Sequence, residues 1–366
     1  IYKHYAGSIG GRKVVLDLVW GFQGGSNFGG SYYYFTDSPQ INHMSILEPP
    51  TFEHTEKLHG IVEPEENPWN YEDVSFDDAD VTWDFHIDGN ILTGVYRKKS
   101  TGEEHALYLV ETYGKSIAFD MVIGSDRVMI PSESGGGAAA EIFTLGISPS
   151  PLTTNITEMD FVNKELLKFT QIENIQSEYI ADYYKAMRVN FIKGSKIYFT
   201  QLFASGNAVN TESAEYKSHL TRRLLVRPVY NDTGFLVVKK YFFDGEKNTE
   251  QYLNLDLTRS KRLLLADILK INDRWLSAMI EASFRAKYNM GNTAKLNQWL
   301  TIDRLPVSQK FSLSPRGIIF YYDKKSLIKD KSLTFYEADF SVFISYEQLR
   351  NMMKRDFAAR IWPKLK

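Results

Sequence analysis

"LTRRLLVRPVYNDTGFLVVKKYFFDGEKNTEQYLNLDL", residues 220–257, is the stretch on which the fold turns. Three runs of β-branched, aromatic and leucine residues are separated by NDTG and DGEKNT. Asp, Asn and Gly supply the positive φ angles and local hydrogen bonds that tight turns need, so the stretch predicts an antiparallel meander. On either side the apolar period changes. In "TEMDFVNKELLKF", Met159, Val162, Leu166 and Phe169 recur at helical spacing, and Tyr179, Ile180, Tyr183, Met187 and Phe191 do the same. Both stripes read as core. After "RLLLADIL" a further helix is capped by Asn272 or Asp273, carries Trp275, Leu276, Met279, Ile280, Phe284 and Tyr288, and stops at Gly291. Two strands, Ile318–Tyr322 and Leu333–Ile344, precede a last helix. That helix is expected to start at Ser345, where Ser345 and Gln348 have capping-box form and Leu349, Met352, Met353 and Phe357 make the buried stripe. The class is α+β.

Upstream, the pattern is all-β. In "VTWDFHIDGNILTGVYRKK", Trp83, Phe85 and Ile87 alternate with Asp84 and His86, Asp88-Gly89 makes a hairpin turn, and the chain returns through Ile91–Tyr96. "KVVLDLVW" is an apolar run broken by Asp17. A chain of 366 residues exceeds what one core usually holds. We expect a β-rich domain over residues 1–130, a linker or long loop over the small, flexible 131–140, and an α+β domain over 141–366.

Composition narrows the chemistry. Net charge is −2, which offers no basic footprint for nucleic acid. Cysteine is absent, removing disulfide, zinc-thiolate and thiol-nucleophile readings. No apolar run approaches the ~20 residues of a membrane helix. The chain starts at Ile1 rather than Met, from which we expect a removed signal or lipoprotein segment. The glycines of "GFQGGSNFGG" do not have phosphate-loop spacing. Counting from Asp78 puts Trp83 where a calcium loop needs glycine. His54 and His59, near Glu53 and Glu56, are five apart and lie on different faces of a helix or strand. No metal or cofactor is expected. No GxSxG elbow is present, and His219 reads as a surface histidine.

The order of elements after residue 225 resembles the extracytoplasmic domain of unknown function shared by RsiV-type anti-sigma factors and PdaC-type peptidoglycan deacetylases. The likeness is carried by Leu265, Asp267, Ile268 and Leu269; by Phe311, Leu313, Gly317, Ile318 and Phe320; and by Tyr336, Glu337, Ile344, Tyr346 and Leu349. It spans about residues 225–350. The family's Tyr-x-Gly-Gly-Ala-His phrase is replaced by "YFFDGEKNTEQY", without the histidine. Residues near the start resemble "GSYYY" segments of bacterial envelope proteins. The resemblance implies an extracytoplasmic location, in the periplasm or at the cell surface. We expect a monomeric, non-enzymatic binding or sensing module, whose partner, as the resemblance implies, is peptidoglycan or another glycan, or a protein such as lysozyme.

Tyrosine offers a flat apolar face with a polar tip, which suits sugars and protein partners. The expected ligand-binding residues are Tyr321, Tyr322, Asp323, Tyr336 and Glu337, with Tyr32, Tyr33 and Tyr34 as a further tyrosine run. Adjacent strand residues face opposite ways, so half of each run packs inward. The competing reading is a glycan-active hydrolase with Asp323 and Glu337 as its paired carboxylates.

Overall fold

The structure is a computed structural model and describes residues 2–19, 29–34, 42–46, 58–62, 80–113, 116–130, 138–150, 156–170, 189–199, 201, 221–243, 248–270, 273–288, 290–291, 295–329 and 339–365. Eight antiparallel strands close into an up-and-down barrel: β1 (Tyr2–Ile9), β2 (Arg12–Val19), β3 (Gly29–Tyr34), β4 (Asn42–Ile46), β5 (Leu58–Val62), β6 (Val81–Asp88), β7 (Ile91–Lys98) and β8 (Glu103–Glu111). Alternation determines what fills it. Tyr5 and Ile9, then Val14, Leu16 and Leu18, then Tyr32 and Tyr34 point inward to meet Trp83, Phe85, Leu92, Tyr96, Leu107 and Leu109. Closure needs a residue without a side chain where β1 meets β8. A Cβ on Gly7 would sit 2.0 Å from the Tyr108 carbonyl oxygen.

The second sheet has six strands in the order β14-β13-β12-β11-β10-β9. They are β9 (Phe119–Ile130), β10 (Ala138–Pro149), β11 (Thr221–Asp232), β12 (Phe235–Phe243), β13 (Asn248–Asp256) and β14 (Lys261–Arg262). The meander read at residues 220–257 is β11–β13. Its first turn places Thr233 at φ 60° and Gly234 at φ 76°, the two positive angles of a type I′ hairpin turn. Pro228 cannot donate to a ladder, and the β11–β12 register shifts there, between Pro228 and Tyr230. β10 and β11 are parallel, so the chain between them makes a crossover, which contains α1 (Ile156–Thr170). Val162, Leu166 and Phe169 of α1 pack on Leu236 and Val238 of β12 and on Leu253 and Leu255 of β13. The next expected helix, 179–191, lies mostly outside the described residues; 189–199 are helical.

Residues 131–140, expected as linker or long loop, lie between two strands paired with each other. Residues 138–140 already belong to β10, and β9 joins the second sheet rather than the barrel. Sheet membership changes between Glu111 and Phe119.

A third sheet, β15 (Phe311–Leu313), β16 (Gly317–Asp323) and β17 (Asp339–Ser345), covers the other face of the second. Phe235 and Val237 meet Phe311, Ile318, Phe320, Phe340 and Val342 there. The helix expected after residue 272 is α2 (Asp273–Lys287), with Leu276, Ile280 and Phe284 buried; Trp275 stays 69% exposed, so the buried stripe is narrower than its apolar pattern. The capping box forms, Ser345 N–H donating to Gln348 Oε1 (2.9 Å) and Gln348 N–H to Ser345 Oγ (3.1 Å). It closes a turn over 346–352, however, and the last helix, α3, is Arg355–Leu365. Leu349, Met353 and Phe357 are buried as the stripe requires. Val15 and Tyr33 from the outside of the barrel join this core, which welds the two parts together.

Candidate functional site

Tyr321 sits where the third sheet meets the second. On β16, Ile318, Phe320 and Tyr322 point into the core, so Tyr321 points the other way. On β13, Leu253 and Leu255 pack toward α1, so Glu250 and Tyr252 share the opposite face. The two tyrosine rings stack across the sheets with centroids 4.2 Å apart and planes 10° from parallel. Both rings are held. Tyr321 OH and Ser312 Oγ are 2.9 Å apart, and Tyr252 OH donates to Glu250 Oε2 at 2.8 Å. Tyr321 N–H donates to Lys310 O, and Ser308 Oγ–H to Tyr321 O.

Lys239 stands opposite Tyr252 in the β12–β13 register, and Tyr241 stands opposite Glu250. Its ammonium is 2.5 Å from Glu250 Oε1 and lies 5.8 Å from the Tyr252 ring centroid and 6.0 Å from that of Tyr241. Burial pulls the Lys239 pKa down; Glu250 works against that, while the like charges of Arg227 and Lys310 add to it. Burial alone would raise the Glu250 carboxyl, but the Lys239 charge and the hydrogen bonds from Lys239 and Tyr252 outweigh it and hold the carboxyl below its usual range. The Tyr252 phenol is pushed well up, first by burial and then by Tyr321 and Glu250. The arrangement is a rigid aromatic wall beside a desolvated ion pair, with Arg227 and Lys310 close enough to act on Lys239.

Of the residues expected from sequence, Tyr321 is in this wall. Tyr322 is 5% exposed and donates its hydroxyl to Pro306 O at 2.7 Å. Asp323 ends β16 exposed, opposite Asp339 in register. Tyr336 and Glu337 lie outside the described residues. Tyr32 and Tyr34 are buried in the barrel, and Tyr33 packs edge-on against Tyr230. Glu53, His54, Glu56, Asp77, Asp78 and His219 also lie outside the described residues, whereas Asp80 accepts from Ser100 N–H and Oγ–H and Asp84 pairs with Arg97. Among the described residues no group of His, Asp and Glu could hold a metal ion. Sequence reading missed Lys239, Glu250 and Tyr252. The signal was in the register: Phe243 pairs with Asn248, and counting outward puts Lys239 beside Tyr252.

A second polar cluster lies between barrel and sheet. His4 Nδ1 is 2.6 Å from Asp17 Oδ1, which also accepts from Tyr2 OH at 2.6 Å; His4 Nε2 is 3.3 Å from Ser116 Oγ. The order Ser–His–Asp is that of a hydrolytic relay. Here the Ser116 hydroxyl donates to Asn231 O at 2.7 Å, and the neighbouring Ile117 N–H is spent on Asn231 Oδ1 at 3.0 Å. Asn231 Nδ2 donates back to Ile117 O (2.7 Å) and to Tyr2 OH (2.8 Å). The cluster satisfies its own buried groups and joins β1 and β2 to β11; it is a seam.

No protein-family model matches the chain, and no curated protein matches it. Among solved structures it is similar to a DUF3298-family protein of Bacteroides fragilis, with TM-score 0.49, 15% identity, and coverage of 68% of this chain and 97% of that one. A DUF3298-family protein of Pseudomonas aeruginosa PAO1 is similar at TM-score 0.38 and 14% identity, over 67% of this chain and 98% of that one.

Proposed function

We propose that this chain is a non-enzymatic, extracytoplasmic binding or sensing module whose ligand is a carboxylate-bearing glycan such as peptidoglycan. The observation that carries the reading is the Tyr252–Tyr321 stack beside Lys239. Sugar rings stack on such faces, and the cations Arg227 and Lys310 beside the Lys239–Glu250 pair favour anionic substituents. The likeness of residues 225–350 to the RsiV and PdaC domain supports the location and the partner class.

The test is retention of soluble peptidoglycan fragments, with lysozyme run in parallel. Fragment binding should weaken about 2- to 10-fold in Tyr321→Ala, the ~0.5–1.5 kcal/mol of one aromatic contact. Tyr108→Ala, an exposed barrel tyrosine, should change nothing. Retention of lysozyme but not fragments would replace the glycan by a protein partner, and retention of neither would remove the cell-wall reading. Reducing ends released from the fragments would favour the hydrolase reading built on Asp323 and Glu337.

A further inference from the structure

The outer face of the third sheet continues past Tyr321. The alternation that sends Ile318, Phe320 and Tyr322 of β16 and Phe340, Val342 and Ile344 of β17 into the core sends Ile319, Tyr321, Ser341 and Phe343 the other way. Ile319 stands opposite Phe343 and Tyr321 opposite Ser341, so the four form one patch. Ile319, Tyr321 and Phe343 are half-buried, and none is part of the hydrophobic cores formed by the described residues. Phe343 leans along the sheet. A Cβ on Gly317 would sit 2.5 Å from its Cε2 and 2.7 Å from its Cζ, so the end of the ring lies over Gly317, and the glycine is what leaves it room. Gly317 and Tyr321 are four residues apart on β16, about 13 Å along the strand. The strip therefore carries an aromatic ring at each end, with Ile319 between them. Its border is polar. Ser341 Oγ accepts from Lys287 Nζ at 2.8 Å, which leaves the Ser341 O–H to donate to a ligand. Asp323 is exposed at the end of β16, on the far side of Tyr321. The strip is one strand pair wide, which suits a linear chain rather than a protein partner that covers ~800 Å² on each side.

We propose that the strip from Tyr321 to Phe343 is a two-platform site for an oligosaccharide, one sugar stacking on Tyr321 and another, further along the same chain, on Phe343. The proposal rests on the glycan reading of the Tyr252–Tyr321 wall and sets its ligand class, an extended chain rather than a monosaccharide. The chain runs from Tyr321 toward Phe343. The opposite direction would bring its carboxylates to Asp323, a like charge. Ser341 donates to a sugar oxygen between the platforms, and the Lys287 ammonium favours a sugar carboxylate at that border.

The probes are peptide-free sugars of the peptidoglycan backbone, the disaccharide of N-acetylglucosamine and N-acetylmuramic acid and the corresponding tetrasaccharide, titrated calorimetrically into the full chain. The tetrasaccharide should bind about 2- to 10-fold more tightly than the disaccharide, the value of the second aromatic contact. Phe343→Leu keeps an apolar cover over Gly317 but removes the ring, and should bring that ratio close to one. Tyr321→Ala should weaken both sugars. Nuclear Overhauser effects between the Phe343 ring and the tetrasaccharide, read in the unaltered protein, keep the test decisive if Phe343→Leu fails to fold, and their absence overturns the proposal. Equal affinity for the two sugars, or a folded Phe343→Leu that keeps the difference, overturns the second platform and leaves the reading of Tyr321 standing. Binding of neither sugar removes both.

Discussion

Asn231→Ala tests whether barrel and sheet are one cooperative body. Asn231 is 0% exposed, and its side chain donates to Ile117 O and Tyr2 OH and accepts from Ile117 N–H. Tyr2 OH keeps Asp17 after the substitution, so the groups left orphaned are the amide and carbonyl of Ile117. A buried polar group without a partner costs about 1–3 kcal/mol. Two such groups, plus the space vacated by the amide, come to about 3–5 kcal/mol, a large share of the ~5–15 kcal/mol of a typical protein. Urea unfolding should be followed by far-UV circular dichroism for the whole chain and, for the barrel, by the Trp83 share of the fluorescence, taken as the difference from a Trp83→Phe background. The midpoint should fall, and the two probes should separate, because the lost bonds are those that tie residues 116–117 to β11. Asn231→Asp removes the donors while keeping the shape, and should cost at least as much at neutral pH. A loss below about 1 kcal/mol in both variants, with the two probes still coincident, would refute the reasoning and make the seam dispensable.

Three further outcomes follow from the same structure. Because the Glu250 carboxyl is held below its ordinary range, the unfolded chain binds its proton first as pH falls. Its contribution should be fully present above the unfolded value of about 4.3 and drain away below it, and Glu250→Gln should flatten that acid limb in urea titrations. Arg360 of α3 donates to Asp256 Oδ2 (2.5 Å) and Gly234 O (3.2 Å) and covers the Phe235 ring at 4.0 Å. Arg360→Lys should cost about 1–2 kcal/mol in thermal unfolding, since an ammonium cannot make the fork and the ring contact together, and Arg360→Met more, because Asp256 would be left buried. Gly7→Ala should cost about 1–3 kcal/mol or more and lower the Trp83-monitored midpoint, because its Cβ would strike the β8 backbone; an unchanged midpoint would mean that the barrel does not close there as tightly as described.

The α+β class, the meander at 220–257, the all-β character of the first hundred residues and the helix at 273–287 are legible in the sequence, because period and turn residues are local properties. The wall was half legible. Tyr321 could be picked out as an outward tyrosine, but Tyr252 arrives from another sheet about seventy residues earlier, and no periodicity within either segment announces the encounter. The capping box at Ser345 shows the opposite limit. Its two hydrogen bonds form as read, yet they close a turn, since a cap satisfies the first turn's donors without obliging the chain to continue.

By itself, the sequence determined the α+β class, the meander, the hairpin at 81–98 and the helix at 273–287, with the apolar face of each. It also excluded thiolate chemistry. Only the tertiary structure decided that the early strands close into a barrel and that β9 leaves them for the second sheet. It likewise decided that Asp17, read as a break in an apolar run, is the buried anchor of His4 and Tyr2. Barrel closure depends on pairings about a hundred residues apart, between β1 and β8, and β9 is held in the second sheet through β10, whose partner β11 lies eighty residues further on. The free energy of a buried polar residue depends on partners that only those pairings bring within hydrogen-bonding distance.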